Sequence, residues 1–241
     1  KLPQDAFIVS MVAANQGFRK AIFENMMAFK ILLNTHPGAF LFLHMSGNPP
    51  MGNRIVGINI LELIRHLKIP EVRIRIVNQY LYNVVGLPPK WMRDLYIASD
   101  VLLAASRGEG WGLPISESQA CGTPVVTTRF SAMTENTVNG IATMPLQPTW
   151  TGFDSFQVDP DVMGIVRAME TIHDWNEDER QMHAAAGVKY FVDNHSPDYI
   201  YNRYWAPLLS LVESDIKAGK FEKKGPARKI EDAGHLLEVV G

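Results

Sequence analysis

Two acids in one short run, Glu109 and Glu117 within residues 107–126 (RGEGWGLPISESQACGTPVV), have the type and spacing to do chemistry. Eight positions separate them, and Gly110, Trp111, Gly112, Leu113 and Pro114 lie between. Glu109 falls in a loop too rich in glycine for regular structure, whereas Glu117 falls on a helix expected to start at Leu113 or Pro114. Glycines let backbone amides come close to a guest, and a helix start adds unpaired N–H groups and the positive end of its dipole. Phosphate suits such a place, but phosphate alone repels carboxylates. The acids fit if each meets hydroxyl groups attached beyond the phosphates, which is the layout of a nucleotide sugar. Glu117 is then expected to accept the ribose hydroxyls, and Glu109 to address the sugar at the other end of the diphosphate.

These residues need a scaffold, and short apolar runs alternating with segments of helical period supply one. The runs are 6–13, 39–45, 72–77, 101–105 and 124–128, read as five strands. Helices are expected over 19–34, with Ile22, Phe23, Met26, Phe29, Leu32 and Leu33 on one stripe, and over 55–67 and 88–99. Asp159 and Pro160 read as the cap and first turn of a helix whose buried face carries Val162, Ile165, Val166, Met169 and Ile172. Two more helices follow, over 177–192 and 197–216, and the aromatic insert 145–156 reads as a loop, either a lid or packed on the core. The alternation defines an α/β domain with a parallel sheet, which binds ligands beyond the carboxyl ends of its strands, where 107–112 falls.

The charge balance, 23 basic against 25 acidic side chains, gives no pull toward nucleic acid. One cysteine, Cys121, forms no internal disulfide, and no apolar run approaches membrane-spanning length, which points to the cytoplasm. Residues 1–5 read as a linker remnant, 6–216 as the domain, and 217–241 as a basic tail, mobile or docked on a partner; contact of that tail with a membrane surface is a secondary reading.

The run 95–128 (LYIASDVLLAASRGEGWGLPISESQACGTPVVTT) resembles the nucleotide-sugar-binding half of retaining glycosyltransferases of family 4. Their signature is Glu, seven residues, Glu, then Ala-x-Gly-x-Pro-Val; Glu109, Glu117, Ala120, Gly122, Pro124 and Val125 match it. The resemblance extends over roughly 6–212 and implies a Rossmann-like doubly wound sheet, the C-terminal half of a GT-B fold. It further implies transfer of a sugar from a nucleoside diphosphate donor to an acceptor hydroxyl with retention of configuration, no metal, and an N-terminal acceptor half outside this sequence. A lysine and an arginine six positions before it neutralise the diphosphate in that family. Lys20 matches the lysine, but Ala14 stands at the arginine position, so Arg19 is either its replacement or structural. By the same resemblance Asn78 and Gln79 border the base, and Thr134 and Glu135 belong to a turn ending at Gly140. Glu109 orients the donor sugar, and Lys20 with the helix amides stabilises the departing diphosphate.

Plainer readings stand beside these. Glu117 is also a favourable first-turn helix acid, Trp111 packs the loop, and His44 is a hydrogen-bonded core histidine. The Asp-x-Asp at Asp159 and Asp161 is capping rather than a metal motif, and the histidines show no zinc-like spacing. A glycoside hydrolase also uses two carboxylates, but across a scissile bond. A non-catalytic nucleotide-binding module is the remaining class.

Overall fold

A computed structural model of the chain describes residues 2–3, 5–16, 18–47, 57–152 and 154–220. It divides into two compact units, Lys1–Asp193 and Asn194–Gly241. In the first, six strands form one parallel sheet: β1 (Ile8–Val12), β2 (Phe40–His44), β3 (Ile74–Ile76), β4 (Val101–Leu103), β5 (Val125–Thr128) and β6 (Gly140–Thr143). Their order is β3-β2-β1-β4-β5-β6, so the winding reverses between β1 and β4 and leaves a crevice at the carboxyl ends of those two strands.

Strand side chains alternate between faces, so neighbours enter different cores. Val101, Leu103 and Val126 join a core with α1 (Ile22–Leu32), α2 (Ile60–Leu67) and α6 (Val162–Asp174). Leu102 and Val125 face the other way, against Tyr96 of α3 (Pro89–Ile97), Ile115 of α4 (Leu113–Ala120) and Met133 of α5 (Ala132–Asn136). Both faces of the parallel sheet are thereby covered.

Several elements depart from the sequence expectations. β6 is a sixth strand that the five expected runs do not include, and it starts at Gly140, where the expected turn ends. It lies beside β5 because Gly140, at φ 133°, has no side chain; a Cβ there would stand 2.0 Å from the Val125 carbonyl oxygen. The insert expected as a loop is an antiparallel hairpin, β7 (Pro145–Trp150) and β8 (Phe156–Pro160), with Trp150 and Phe156 edge to face at 4.8 Å. The register shifts between Pro145 and Pro148, where N–H groups are missing from the ladder. Because β8 runs through Pro160, the following helix is capped by Asp161, which accepts from the Met163 amide at 3.0 Å, rather than by Asp159.

The first helix begins at Ile22 rather than Arg19, since Ala21 is left-handed at φ 45°. On its stripe Phe23 turns out to be 39% exposed, and Asn25 is buried in the core-facing set instead. Asn59 caps α2 by accepting from the Glu62 amide at 3.2 Å, while 55–56 of the expected helix lie outside the described residues. α7 (Glu177–His195) runs past the expected end at Val192. In the second unit the expected single helix is three pieces, α8 (Pro197–Ile200), a π-helical turn over Tyr201–Trp205, and α9 (Ala206–Lys217). Pro207 explains the break, because it has no N–H to donate into the preceding turn. Among the described residues no helix is long and apolar enough to cross a membrane. Of the basic tail, Lys220 pairs with Asp215 at 2.8 Å, and 221–241 lie outside the described residues.

Candidate active site

The loop after β1 and the loop after β4 meet at the crevice. Their backbones join directly, the Arg107 amide donating to the Arg19 carbonyl at 2.9 Å. Buried Asn25 braces the same junction, its amide nitrogen donating to Ala105 O at 2.9 Å and Ala21 O at 2.8 Å. Asn15 ties the first loop to the next strand's end, donating to Ser46 O at 2.8 Å and Ile58 O at 2.7 Å.

On this frame three of the expected residues converge. Lys20 Nζ lies 2.7 Å from Glu109 Oε1, and Arg19 NH1 lies 2.7 Å from Glu109 Oε2 and 3.0 Å from the Gly108 carbonyl. Arg19 thus reaches the site although it neighbours Lys20 in sequence, and nothing basic comes from Ala14. The left-handed Ala21 and the turn over 18–20 explain this, because helical neighbours would point about 100° apart. The Glu109 side chain is 8% exposed, and Lys20 is 13% exposed. Burial alone would raise the Glu109 pKa, but the hydrogen bond and charge of Lys20, then Ser106 and Arg19, outweigh it and hold the carboxyl below the usual glutamate range. The Glu109 amide donates to Ser131 Oγ at 3.0 Å, which fixes the loop from the far side.

Arg107, given no role by the sequence, is the deepest charge in the region. Its guanidinium pairs with Glu24 and Asp159, donates from Nε to the Phe18 carbonyl at 3.2 Å, and stacks 3.5 Å from the Phe18 ring centre. Asp159 is therefore a counter-ion to Arg107 rather than the helix cap. The Val158 amide donates to the Arg107 carbonyl at 3.0 Å, so β8 is stitched to the Glu109 loop as well.

Glu117 stands apart from this cluster. It is exposed on α4, and its Oε2 accepts from the Tyr96 hydroxyl at 2.8 Å. Burial first, then the carboxylate beside it, pushes the Tyr96 phenol well above its ordinary pKa, so it donates throughout the physiological range. One carboxylate oxygen is committed to the phenol; the other can take a ligand hydroxyl.

The start of α4 has a left-handed Gly112 at φ 86°, where a Cβ would meet Ile115 Cδ1 at 2.8 Å. Pro114 has no N–H, and the amides of Ile115 and Ser116 turn back to the Gly112 carbonyl at 2.8 and 3.3 Å. The helix start therefore offers a phosphate fewer donors than its first turn suggests, chiefly Leu113 and the amides of the loop before it. Trp111 is 42% exposed, and its carbonyl accepts from Asn136 at 2.7 Å.

Asn78 and Gln79 are engaged in loop structure. Asn78 Oδ1 accepts from the amides of Tyr80 and Leu81 at 3.0 and 3.1 Å. Gln79 accepts from Gly47 N at 2.8 Å and donates to Val77 O at 2.8 Å and Met45 O at 3.2 Å, joining the ends of β2 and β3. His44 is held by rings rather than by hydrogen bonds: Tyr82 and Trp91 each lie 5.1 Å away, its Nδ1 has no partner, and burial lowers its pKa. Thr134 and Glu135 belong to α5, and Thr134 N donates to Ser131 O at 3.1 Å.

The cleft beside Lys20 and Glu109 holds only about 20 Å³, bounded by Met11, Asn25, Ser106 and Pro114. A larger cavity of about 320 Å³ lies at the opposite edge of the sheet, among Asp100, Cys121, Thr123 and Arg180. Size does not decide between them, because in a doubly wound sheet ligands enter at the carboxyl ends of the strands. The small cleft is there, filled by its own ion pairs.

A doubly wound sheet with basic and acidic side chains at its switch point is a Rossmann-type arrangement. Residues 58–153 match the family "Glycosyl transferases group 1", a stretch that includes both glutamates. Over 102 residues, 42% of this chain and 22% of the relative, the chain is 36% identical to the D-inositol 3-phosphate glycosyltransferase of Corynebacterium jeikeium. Among solved structures, sucrose-phosphate synthase from Thermosynechococcus elongatus matches with TM-score 0.64 and 17% identity, over 88% of this chain and 47% of that one. Anabaena HepE, solved in complex with UDP-glucose, matches with TM-score 0.60 and 17% identity, over 85% of this chain and 49% of that one. Residues 58–153 are thus similar to group 1 glycosyl transferases, the fold is of the GT-B type, and the chain spans about half or less of the relatives named here.

Proposed function

We propose that the chain is the donor-binding half of a retaining glycosyltransferase, which moves a sugar from a nucleoside diphosphate sugar to an acceptor hydroxyl. The observation that carries this reading is the convergence of Arg19, Lys20 and Glu109 at the switch point. Without donor, one carboxylate is balanced by two cations. A diphosphate brings more negative charge than Glu109, so it draws Lys20 and Arg19 onto itself and releases the carboxylate to accept from hydroxyls of the donor sugar. The same two cations then face the charge that grows on the leaving diphosphate, which is where stabilisation lowers the barrier. They do this without a metal. Glu117, with one oxygen steadied by Tyr96, accepts from the ribose.

The acceptor half belongs to a part of the protein outside this chain, in line with the coverage of its relatives, and the setting is cytoplasmic. UDP-glucose in the Anabaena structure makes a uridine donor the first to try. Thermal shift and calorimetry with UDP, GDP and ADP test the proposal. One of them should raise the melting temperature by mass action, and Lys20→Met should abolish the rise. No response to any nucleoside diphosphate overturns the reading, and a longer chain that binds but transfers no sugar reduces it to a non-catalytic nucleotide module.

A further inference from the structure

A second constellation lies at the amino-terminal edge of the sheet, away from the crevice. His36, in the turn between α1 and β2, meets His173 and Asp174, the last two residues of α6. The imidazole centres are 4.1 Å apart with planes at 64°, and each of the three residues offers a ligand atom within 4.8 Å of the other two. Glu170 stands one turn earlier on α6, which puts it on the same helical face as His173 and Asp174.

The hydrogen bonds bear on which ring nitrogens are available. Thr35 Oγ1 has one proton and lies 2.8 Å from Glu170 Oε1 and 3.1 Å from the Leu32 carbonyl, both of which only accept. When the hydroxyl gives its proton to Glu170, it accepts from His36 Nδ1 at 2.9 Å, the tautomer that leaves Nε2 its lone pair. His173 Nδ1 lies 2.9 Å from Asp174 Oδ1, so a metal that displaces the proton between them takes both atoms as ligands. Phe7 sets the His173 ring edge to face at 5.0 Å. An outer oxygen on the far nitrogen, as Thr35 supplies to His36, is how proteins orient histidine for a metal.

From this we infer that His36, His173 and Asp174 bind a divalent transition metal, zinc foremost, with Glu170 and Thr35 supporting them. Two imidazoles and a carboxylate are a borderline donor set that suits zinc and disfavours magnesium or calcium. At metal–ligand distances of about 2.0–2.2 Å a tetrahedral sphere needs its ligand atoms roughly 3.5 Å apart, a closing-up that partly exposed side chains achieve by rotation. The fourth position is open to water. The metal clasps the α1–β2 turn to the end of α6 and takes no part in the crevice. No spacing in the sequence announces it, because His36 and His173 meet only through the packing of α1 on α6.

The test uses the chain free of any histidine tag. Zinc chloride is titrated by calorimetry, cobalt chloride by its visible absorption, and melting temperature is followed with each. One zinc per chain is expected, with an upward thermal shift and a cobalt spectrum of tetrahedral intensity. His36→Gln and His173→Gln should each weaken binding by about tenfold or more, and Asp174→Asn, at an exposed position that the fold tolerates, should weaken it less. All three variants should keep the metal-free melting temperature near the parent value and keep their response to nucleoside diphosphates. No saturable zinc binding overturns the inference, as does zinc binding that survives intact in the His36→Gln, His173→Gln double variant.

Discussion

Glu109 is almost wholly enclosed and lies between two cations, whereas Glu117, eight residues further along, is open to solvent and touched by one neutral phenol. Both belong to the same strand–loop–helix unit, so the difference is made by what the rest of the fold brings to each. To Glu109 it brings the loop after β1, with its left-handed turn and paired basic residues. To Glu117 it brings only the side of α3. A carboxylate between cations must be released before it can act on a ligand; one beside a phenol is already available. On the proposed function, the motif encodes a gated acid and a standing one.

The largest way to break this contrast is Glu109→Ala. In a chain long enough to transfer sugar, it should cut the rate by about 100-fold or more while nucleoside diphosphate affinity is kept or improved, since Lys20 and Arg19 lose their internal competitor. A normal rate in a transfer assay would remove Glu109 from the reaction. Lys20→Met comes next: losing a charge-assisted contact worth about 1.5–3 kcal/mol should weaken diphosphate binding at least tenfold by calorimetry. Glu117→Gln should weaken the same affinity by about fivefold to tenfold, because an amide accepts less strongly from ribose hydroxyls. Equal affinity would show that the standing acid has no ligand.

Smaller effects sharpen the contrast through stability. The Glu109 pKa is depressed in the folded chain, so its stabilising contribution is complete above the ordinary value of about 4.3 and is lost as pH falls through the lowered value. Urea unfolding at neutral pH and near pH 3 should therefore show the parent losing its advantage over Glu109→Gln on acidification. The smallest change is Tyr96→Phe, which removes one neutral-donor bond to an exposed acid and should cost about 1 kcal/mol, read as a modest fall in melting temperature.

Much of this was legible in the residues. Apolar runs located five of the six parallel strands, and the glycine-rich stretch gave the loop of Glu109 and the start of α4. β6 escaped because GIAT is short and sits behind a glycine that reads as a turn, while its true role is to let two backbones approach. The hairpin escaped because prolines stand in its strands. At the site, Lys20 and Glu109 were expected and Arg19 was left open, because reach depends on the twist of three residues before a helix. Arg107 and Asn25 were missed. A polar residue on the apolar stripe of α1 was the available signal for Asn25; Arg107 stood in the quoted motif, but its two acids and its ring come from three separate segments.

That shared guanidinium makes the outlying hairpin a splint for the acid it never touches. If Asp159 is lost, Arg107 keeps one counter-charge of two in a place water hardly reaches, and the strain falls on the backbone through which residue 107 grips residue 19. Alignment of the reactive side chains thus depends on a segment about fifty residues downstream of the acid, and the hairpin carries that dependence through the one charge it lends to Arg107.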